Sequence, residues 1–245
     1  MRGSITVTLA LAASIAATSL LIGTAQASVL RQTTRVGAVT VDYEVVLPDH
    51  YDPQRSYPTI LAFGGGPQTM NVVERMVKGT FQDQAEKRGY IVVMPAAPNG
   101  ELFFEGGERI FPTFLHQILS NYKVEGGKLL AAGASNGGIS AFYIASLYPR
   151  YFRSITAFPG YLPDPTPARL DAISAMCLHM FVGENDELGF GTPMGQEEQV
   201  FRQHGFALTY SVEKGQPHRI STLSGAGAAR LFDLFDHDRH GCTHS

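Results

Sequence analysis

The chain has 245 residues and carries 19 Lys and Arg against 22 Asp and Glu, a formal charge of −3. That balance offers none of the basic surface that a nucleic-acid-binding protein needs. The length suits one large domain or two small ones with a substantial core, and the sequence holds no internal repeat, low-complexity tract or heptad run.

Arg2 gives a positive start, the run from Ile5 to Ile22 is uncharged and apolar or small, and Ala25-Gln26-Ala27 supplies a small-x-small pattern. This predicts a signal peptide over 1–27, a mature chain from Ser28, and an exported protein, periplasmic or secreted. A retained membrane anchor is the alternative, but Ser and Thr dilute the run and no basic stop follows Ile22. No Cys near the cleavage site marks a lipoprotein, and no second apolar stretch is long enough to span a bilayer. Export permits a disulfide between Cys177 and Cys242. Two unpaired thiols are the alternative, and the sequence leaves both open.

Residues 39–48 (VTVDYEVVLP) alternate β-branched and polar side chains, as an antiparallel edge strand does. Residues 58–63 (PTILAF) read as a buried strand running into Gly64-Gly65-Gly66. Helical spacing follows over 72–88 with Gly89 as a stop, then a buried strand over 90–95 and an amphipathic helix over 111–122. The next strand, 128–132, enters Gly133-Ala134-Ser135-Asn136-Gly137-Gly138 directly, and 139–148 reads as a helix. Strands are predicted over 152–157, 177–182 and 207–212, and helices over 197–204 and 221–235. Short apolar strands alternating with helices predict an α/β fold: a mainly parallel sheet covered on both faces. No interior linker appears, so 28–245 is expected to form one domain. The irregular stretches 96–111 and 160–172 are candidate walls of a substrate cleft.

The pattern Gly133-x-Ser135-x-Gly137 between strand and helix carries the chemistry. A serine nucleophile must be exposed and fixed, and a sharp strand-to-helix turn does both. The turn crowds its neighbours, hence glycines on either side. The following helix also aims its N-terminal N–H groups at the site. A plain glycine-rich turn is the bland reading, and the strand before and helix after argue against it.

On these residues the chain resembles the α/β-hydrolase superfamily, and is most similar to small secreted esterases related to polyhydroxybutyrate depolymerases, feruloyl esterases and phospholipase/carboxylesterases. The segments that carry the resemblance are YPTILAFGGGPQ, GASNGG, YPRYF, VGENDELG and GQPHRI. It implies a triad in the order Ser, acid, His. Ser135 takes the nucleophile's place. Asp186 takes the acid's, just past strand 177–182, with Glu184 and Glu187 as rivals in the same loop. His218 takes the base's, after strand 207–212. His50 and His116 precede Ser135, His179 lies in a strand before Asp186, His204 precedes the last strand, and His237, His240 and His244 sit in the tail. The oxyanion hole is expected from the main-chain N–H of Asn136 and of the loop at Gly64 and Gly65. Relatives commonly carry His-Gly there, whereas this chain has Phe63-Gly64, which puts the bonding that orients the loop in question.

The implied function is hydrolysis of carboxylic esters through an acyl-enzyme, with a small-molecule ester as substrate and no metal or cofactor. A peptidase or amidase on the same triad is the first alternative. A non-catalytic binding protein is the second, and the presence of all three triad candidates argues against it. The tail residues Asp236, His237, Asp238, His240, Cys242 and His244 include possible metal ligands, but their spacing matches no zinc pattern. Phe103, Phe104, Tyr161 and Phe190 are candidates for lining an acyl pocket, with ordinary packing as the alternative. The sequence names neither the ester nor the oligomeric state.

Overall fold

The computed structural model describes residues 28–242. In chain order they form β1 (Ser28–Val36), β2 (Val39–Leu47), β3 (Thr59–Phe63), α1 (Met70–Met76), α2 (Gln82–Arg88), β4 (Ile91–Pro95), α3 (Phe111–Asn121), β5 (Leu129–Gly133), α4 (Asn136–Leu147), β6 (Phe152–Ala157), α5 (Pro167–Ile173), β7 (Cys177–Asn185), α6 (Gly191–Gln203), β8 (Leu208–Pro217) and α7 (Ala229–Asp238). The signal peptide expected over 1–27 lies outside the described residues. Among those described, no helix is long and apolar enough to cross a membrane.

The strands make one sheet in the order β1-β2-β4-β3-β5-β6-β7-β8. β1 and β2 pair antiparallel, β2 joins β4 antiparallel, and every later pairing is parallel. The strand predicted over 39–48 is therefore antiparallel but not the edge. β1 covers it, and its polar sequence SVLRQTTRV gave no alternation strong enough to read.

β3, β4 and β5 are buried along their whole length. Their side chains alternate between two cores, as the strand period requires. Leu61 and Phe63 face α3, α4 and α6, packing with Phe111, Phe142 and Phe201 in one cluster. Ile60 and Ala62 face α1, α2 and α7, with Phe81, Phe232 and Phe235 in the other. Such burial on both faces is why these strands read as continuous apolar runs.

Three predicted elements differ in detail. The helix expected over 72–88 is broken by a π-helical turn at Val77–Phe81. The supposedly irregular 160–172 contains most of α5, whose first turn is capped by Thr166. The final helix is short, because 3-10 turns occupy Ser221–Leu223 and Gly225–Ala228. Cys177 and Cys242 form a disulfide, so the pairing left open by the sequence is made. Closing a loop across 65 residues is worth about 4 kcal/mol in the chain-entropy picture.

β3 lies between β4 and β5, so the strand order reverses around it. In open α/β sheets the carboxyl ends at such a reversal form a crevice. Gly64 and Gly65, Ser135, Asp186 and His218 lie just past β3, β5, β7 and β8, and Asn136 opens α4.

Candidate active site

Ser135 sits between the end of β5 and the start of α4, with φ 58° and ψ −125°. A side chain at positive φ costs on the order of 1–3 kcal/mol, so its surroundings must impose it. The Ser135 N–H donates to the Pro159 carbonyl at 2.7 Å, and its own carbonyl accepts from the Ile139 N–H at 3.0 Å. A Cβ on Gly133 would lie 2.2 Å from the Gly137 oxygen, and one on Gly137 would lie 2.1 Å from the Phe63 oxygen. Only glycine fits at either place, which accounts for the spacing around the serine.

β7 and β8 stay paired to Asn185 and Pro217, with an irregularity between Gly183 and Asn185. Asp186 and His218 are the next residue on each strand, and His218 Nδ1 meets Asp186 Oδ2 at 2.8 Å. The other Asp186 oxygen accepts the main-chain N–H groups of Leu188 at 2.9 Å and Phe190 at 3.3 Å. An ionised carboxylate only accepts, so Nδ1 carries the proton and Nε2 presents its lone pair. Nε2 is buried without a hydrogen-bond partner among the described residues. The Phe190 ring packs on the imidazole with centroids 4.8 Å apart, and Tyr161 backs Phe190 at 5.4 Å.

The rival carboxylates have other work. Glu184 accepts the Gly215 N–H at 2.8 Å, and Glu187 accepts the His218 N–H at 2.9 Å. That bond from His218 holds the Glu187 carboxyl below its ordinary range. One acid thus meets the imidazole, and its two neighbours fix the backbone of the loop that carries it.

At the expected oxyanion position, the Asn136 N–H opens α4, where N–H groups have no acceptor within the helix. Gly65 adjoins the serine, since a Cβ there would lie 3.0 Å from the Ala134 oxygen and 3.5 Å from Ser135 Cβ. Gly64 adjoins Val72 and Met94 instead. Phe63 is fully buried and packs on Phe103 and Phe111 with centroids 5.7 and 5.8 Å away.

The loop is held by a residue that the sequence did not single out. Gln68 is fully buried, with φ 52°. Its side-chain amide donates to the Gly64 carbonyl at 3.0 Å and to Ser140 Oγ at 2.9 Å, and its amide oxygen accepts the Phe103 N–H at 3.1 Å. Its main chain bonds the Gly65 carbonyl at 3.2 Å and the Ala97 N–H at 2.8 Å. Asn136 Nδ2 adds a bond to the Gly66 carbonyl at 3.0 Å. Gln68 thus supplies the orientation that Phe63 cannot.

Ser135 and His218 line one cavity of about 610 Å³. Its walls are not the stretches 96–111 and 160–172 expected from sequence. Val72 and Met76 of α1, Gly79 and Thr80 of the π-helical turn, and Ile220 and Leu223 after β8 form them. Phe103, Phe104, Tyr161 and Phe190 do not line it. Phe103 belongs to the core, and the other two placed above stand behind His218. In the tail, Asp238 is bound to His179 Nε2 at 3.0 and 3.1 Å, and Asp236 to Tyr90 and Arg88. Among the described residues no group of three or more His, Cys, Asp or Glu is placed to hold a metal.

A family model, Esterase, described as "Putative esterase", matches residues 39–229, from β2 into α7. Dipeptidyl-peptidase 5 of Porphyromonas gingivalis is 32% identical over 179 residues, covering 67% of this chain. The chain spans only 24% of that protein's length. Among solved structures, a thermostable esterase matches with a TM-score of 0.69 at 13% identity, over 89% of this chain and 64% of that one. A ferulic acid esterase matches with a TM-score of 0.65 at 19% identity, over 88% of this chain and 98% of its own. The architecture is the α/β-hydrolase fold that the sequence predicted.

Proposed function

We propose that this chain, which belongs to the Esterase family, is a serine hydrolase that cleaves carboxylic esters through Ser135, His218 and Asp186. The observation that carries the reading is the meeting on one cavity of a serine held at φ 58° and a buried His218 Nε2 that has no hydrogen-bond partner among the described residues, with Asp186 bound to the far side of the imidazole. His218 Nε2 takes the proton of Ser135 Oγ as the oxygen attacks the ester carbonyl. Asp186 keeps the imidazole in that tautomer and balances its positive charge. The N–H groups of Asn136 and Gly65 bind the tetrahedral oxyanion. His218 then protonates the departing alcohol, and water activated by the same nitrogen releases the acid.

The mature chain is expected to hydrolyse a short p-nitrophenyl ester, and Ser135→Ala to abolish turnover and labelling by a fluorophosphonate while the fold persists. Undiminished turnover by a folded Ser135→Ala variant overturns the assignment. A peptidase is the second reading, favoured by the 32% identity to dipeptidyl-peptidase 5. Turnover of a dipeptidyl anilide in preference to the ester selects it. Export through residues 1–27 belongs to the same proposal, and the Cys177–Cys242 bridge supports an oxidising compartment. Sequencing the exported protein from its amino terminus should begin at Ser28.

A further inference from the structure

The charged groups on the wall of the cavity have one sign. Arg75 and Arg219 line it, and among the described residues no Asp or Glu does. They come from different walls: Arg75 from the last turn of α1, and Arg219 from the residue after His218. Neither has an ion pair or side-chain hydrogen bond among the described residues, whereas seven of the other eleven described arginines pair with a carboxylate. Arg88 holds Asp233 and Asp236, Arg230 holds Glu213, and Arg239 holds Glu125.

The acids close by are already committed. Glu74, next to Arg75, pairs with Arg31 at 3.0 Å. Glu187 is bonded to the His218 N–H, and the Asp186 side chain is 2% exposed behind the imidazole. In a chain of net charge −3, the lining itself thus carries two guanidinium charges and, among the described residues, no carboxylate. Low-dielectric walls focus such a field onto an entering ligand. A guanidinium presents a planar fork of donors suited to a carboxylate, and an uncommitted one keeps all of them free for it. The same lining that holds these charges and Ser135 is otherwise largely hydrocarbon, with Val72, Met76, Phe158 and Ile220.

We infer that the preferred substrate is an ester that itself carries a carboxylate, spaced from the ester bond by an apolar segment and received by Arg75 and Arg219. This rests on the reading of Ser135 as nucleophile. Two substrate pairs test it, each differing only by methyl against carboxylate. On the acyl side these are p-nitrophenyl hexanoate and mono-p-nitrophenyl adipate. On the alcohol side they are para-methylphenyl acetate and para-acetoxybenzoate.

In at least one pair the charged member should have the higher kcat/KM, and that pair shows which side of the ester bears the anion. Arg75→Gln and Arg219→Gln should each lower the charged-to-neutral ratio of kcat/KM roughly tenfold, the scale of one charge-assisted hydrogen bond, mainly through KM. Added salt should shrink the wild-type ratio, because exposed charges are screened. Lys128→Gln removes the same charge before β5, at the end of that strand away from Ser135, and should leave the ratio unchanged. Turnover of the neutral esters with a ratio indifferent to both arginines overturns the inference, as does an equal shift in Lys128→Gln. No turnover of any of the four esters, with Ser135 unlabelled by a fluorophosphonate, overturns the hydrolase reading and this inference with it.

Discussion

Gly183 and Pro217 touch backbone to backbone: a Cβ on Gly183 would lie 2.2 Å from the Pro217 oxygen and 2.4 Å from that of Gln216. This contact closes the ends of β7 and β8 on each other just before Asp186 and His218. Gly183→Ala forces the two strands apart where the His–Asp pair begins. Overpacking of this kind costs about 1–3 kcal/mol, and a displacement near 1 Å in a reacting group costs on the order of a hundredfold in rate. A folded Gly183→Ala variant with a lowered melting temperature and kcat/KM reduced about a hundredfold is the expected outcome. Wild-type kinetics in that variant would show that strand closure does not align the pair.

Three carboxylates within four residues face the loop of His218, and their bonds rank them. Asp186→Asn keeps the shape but offers Nδ1 an amide in place of an anion. It should lower kcat on the order of a thousandfold or more, as loss of the tautomer-holding acid does in triads. Glu184→Gln and Glu187→Gln keep an acceptor for the Gly215 and His218 N–H groups and should cost at most about tenfold, the scale of a weakened charge-assisted bond. Steady-state kinetics of the three variants decides the order, and an equal loss at either glutamate would move the acid.

How much of this was legible in the sequence depends on where each constraint is stored. The elbow was legible because its steric demand falls within five residues, with Gly133 and Gly137 both pressed against carbonyl oxygens. The choice of Asp186 over Glu184 and Glu187 came from resemblance. Side-chain alternation at the end of β7 is broken by the irregularity between Gly183 and Asn185, so no period says which carboxyl faces β8. Gln68 carried no local signal, because its partners Phe103 and Ser140 lie 35 and 72 residues away. The aromatic candidates for the pocket could not be told from packing residues in the sequence for a related reason. Hydrophobicity marks Phe103 as buried without saying on which side of the loop.

Gln68 makes a separable prediction. Gln68→Met matches its bulk but leaves the Gly64 carbonyl, Ser140 Oγ and Phe103 N–H without this partner. Unsatisfied buried groups of this kind cost on the order of 1–3 kcal/mol in stability. Loosening the Gly65 N–H should also lower kcat about a hundredfold, as loss of an oxyanion donor does, with KM little changed. Fluorophosphonate labelling, which passes through the same oxyanion geometry, should slow in parallel. A variant that loses only stability, with wild-type kcat and labelling rate, would reduce Gln68 to a packing residue.

Glu197 links stability to pH. It is 7% exposed on α6, accepts the Leu162 N–H at 3.0 Å, and among the described residues no cation pairs with it. Burial pushes its carboxyl from the ordinary 4.5 up to about 8, partly opposed by that hydrogen bond. Between those values the folded chain keeps a proton that the unfolded chain releases. Stability from this group is therefore complete below about 4.5, falls by about 1.4 kcal/mol for each pH unit above it, and is lost once pH passes about 8. Glu197→Gln keeps an acceptor for Leu162 and cannot ionise. Its denaturation midpoint should match the wild type near pH 4.5, exceed it increasingly up to about pH 8, and keep a constant lead above that. Parallel midpoints across that range would mean that Glu197 ionises in the folded protein as it does in water, and that its burial places no penalty on the charge.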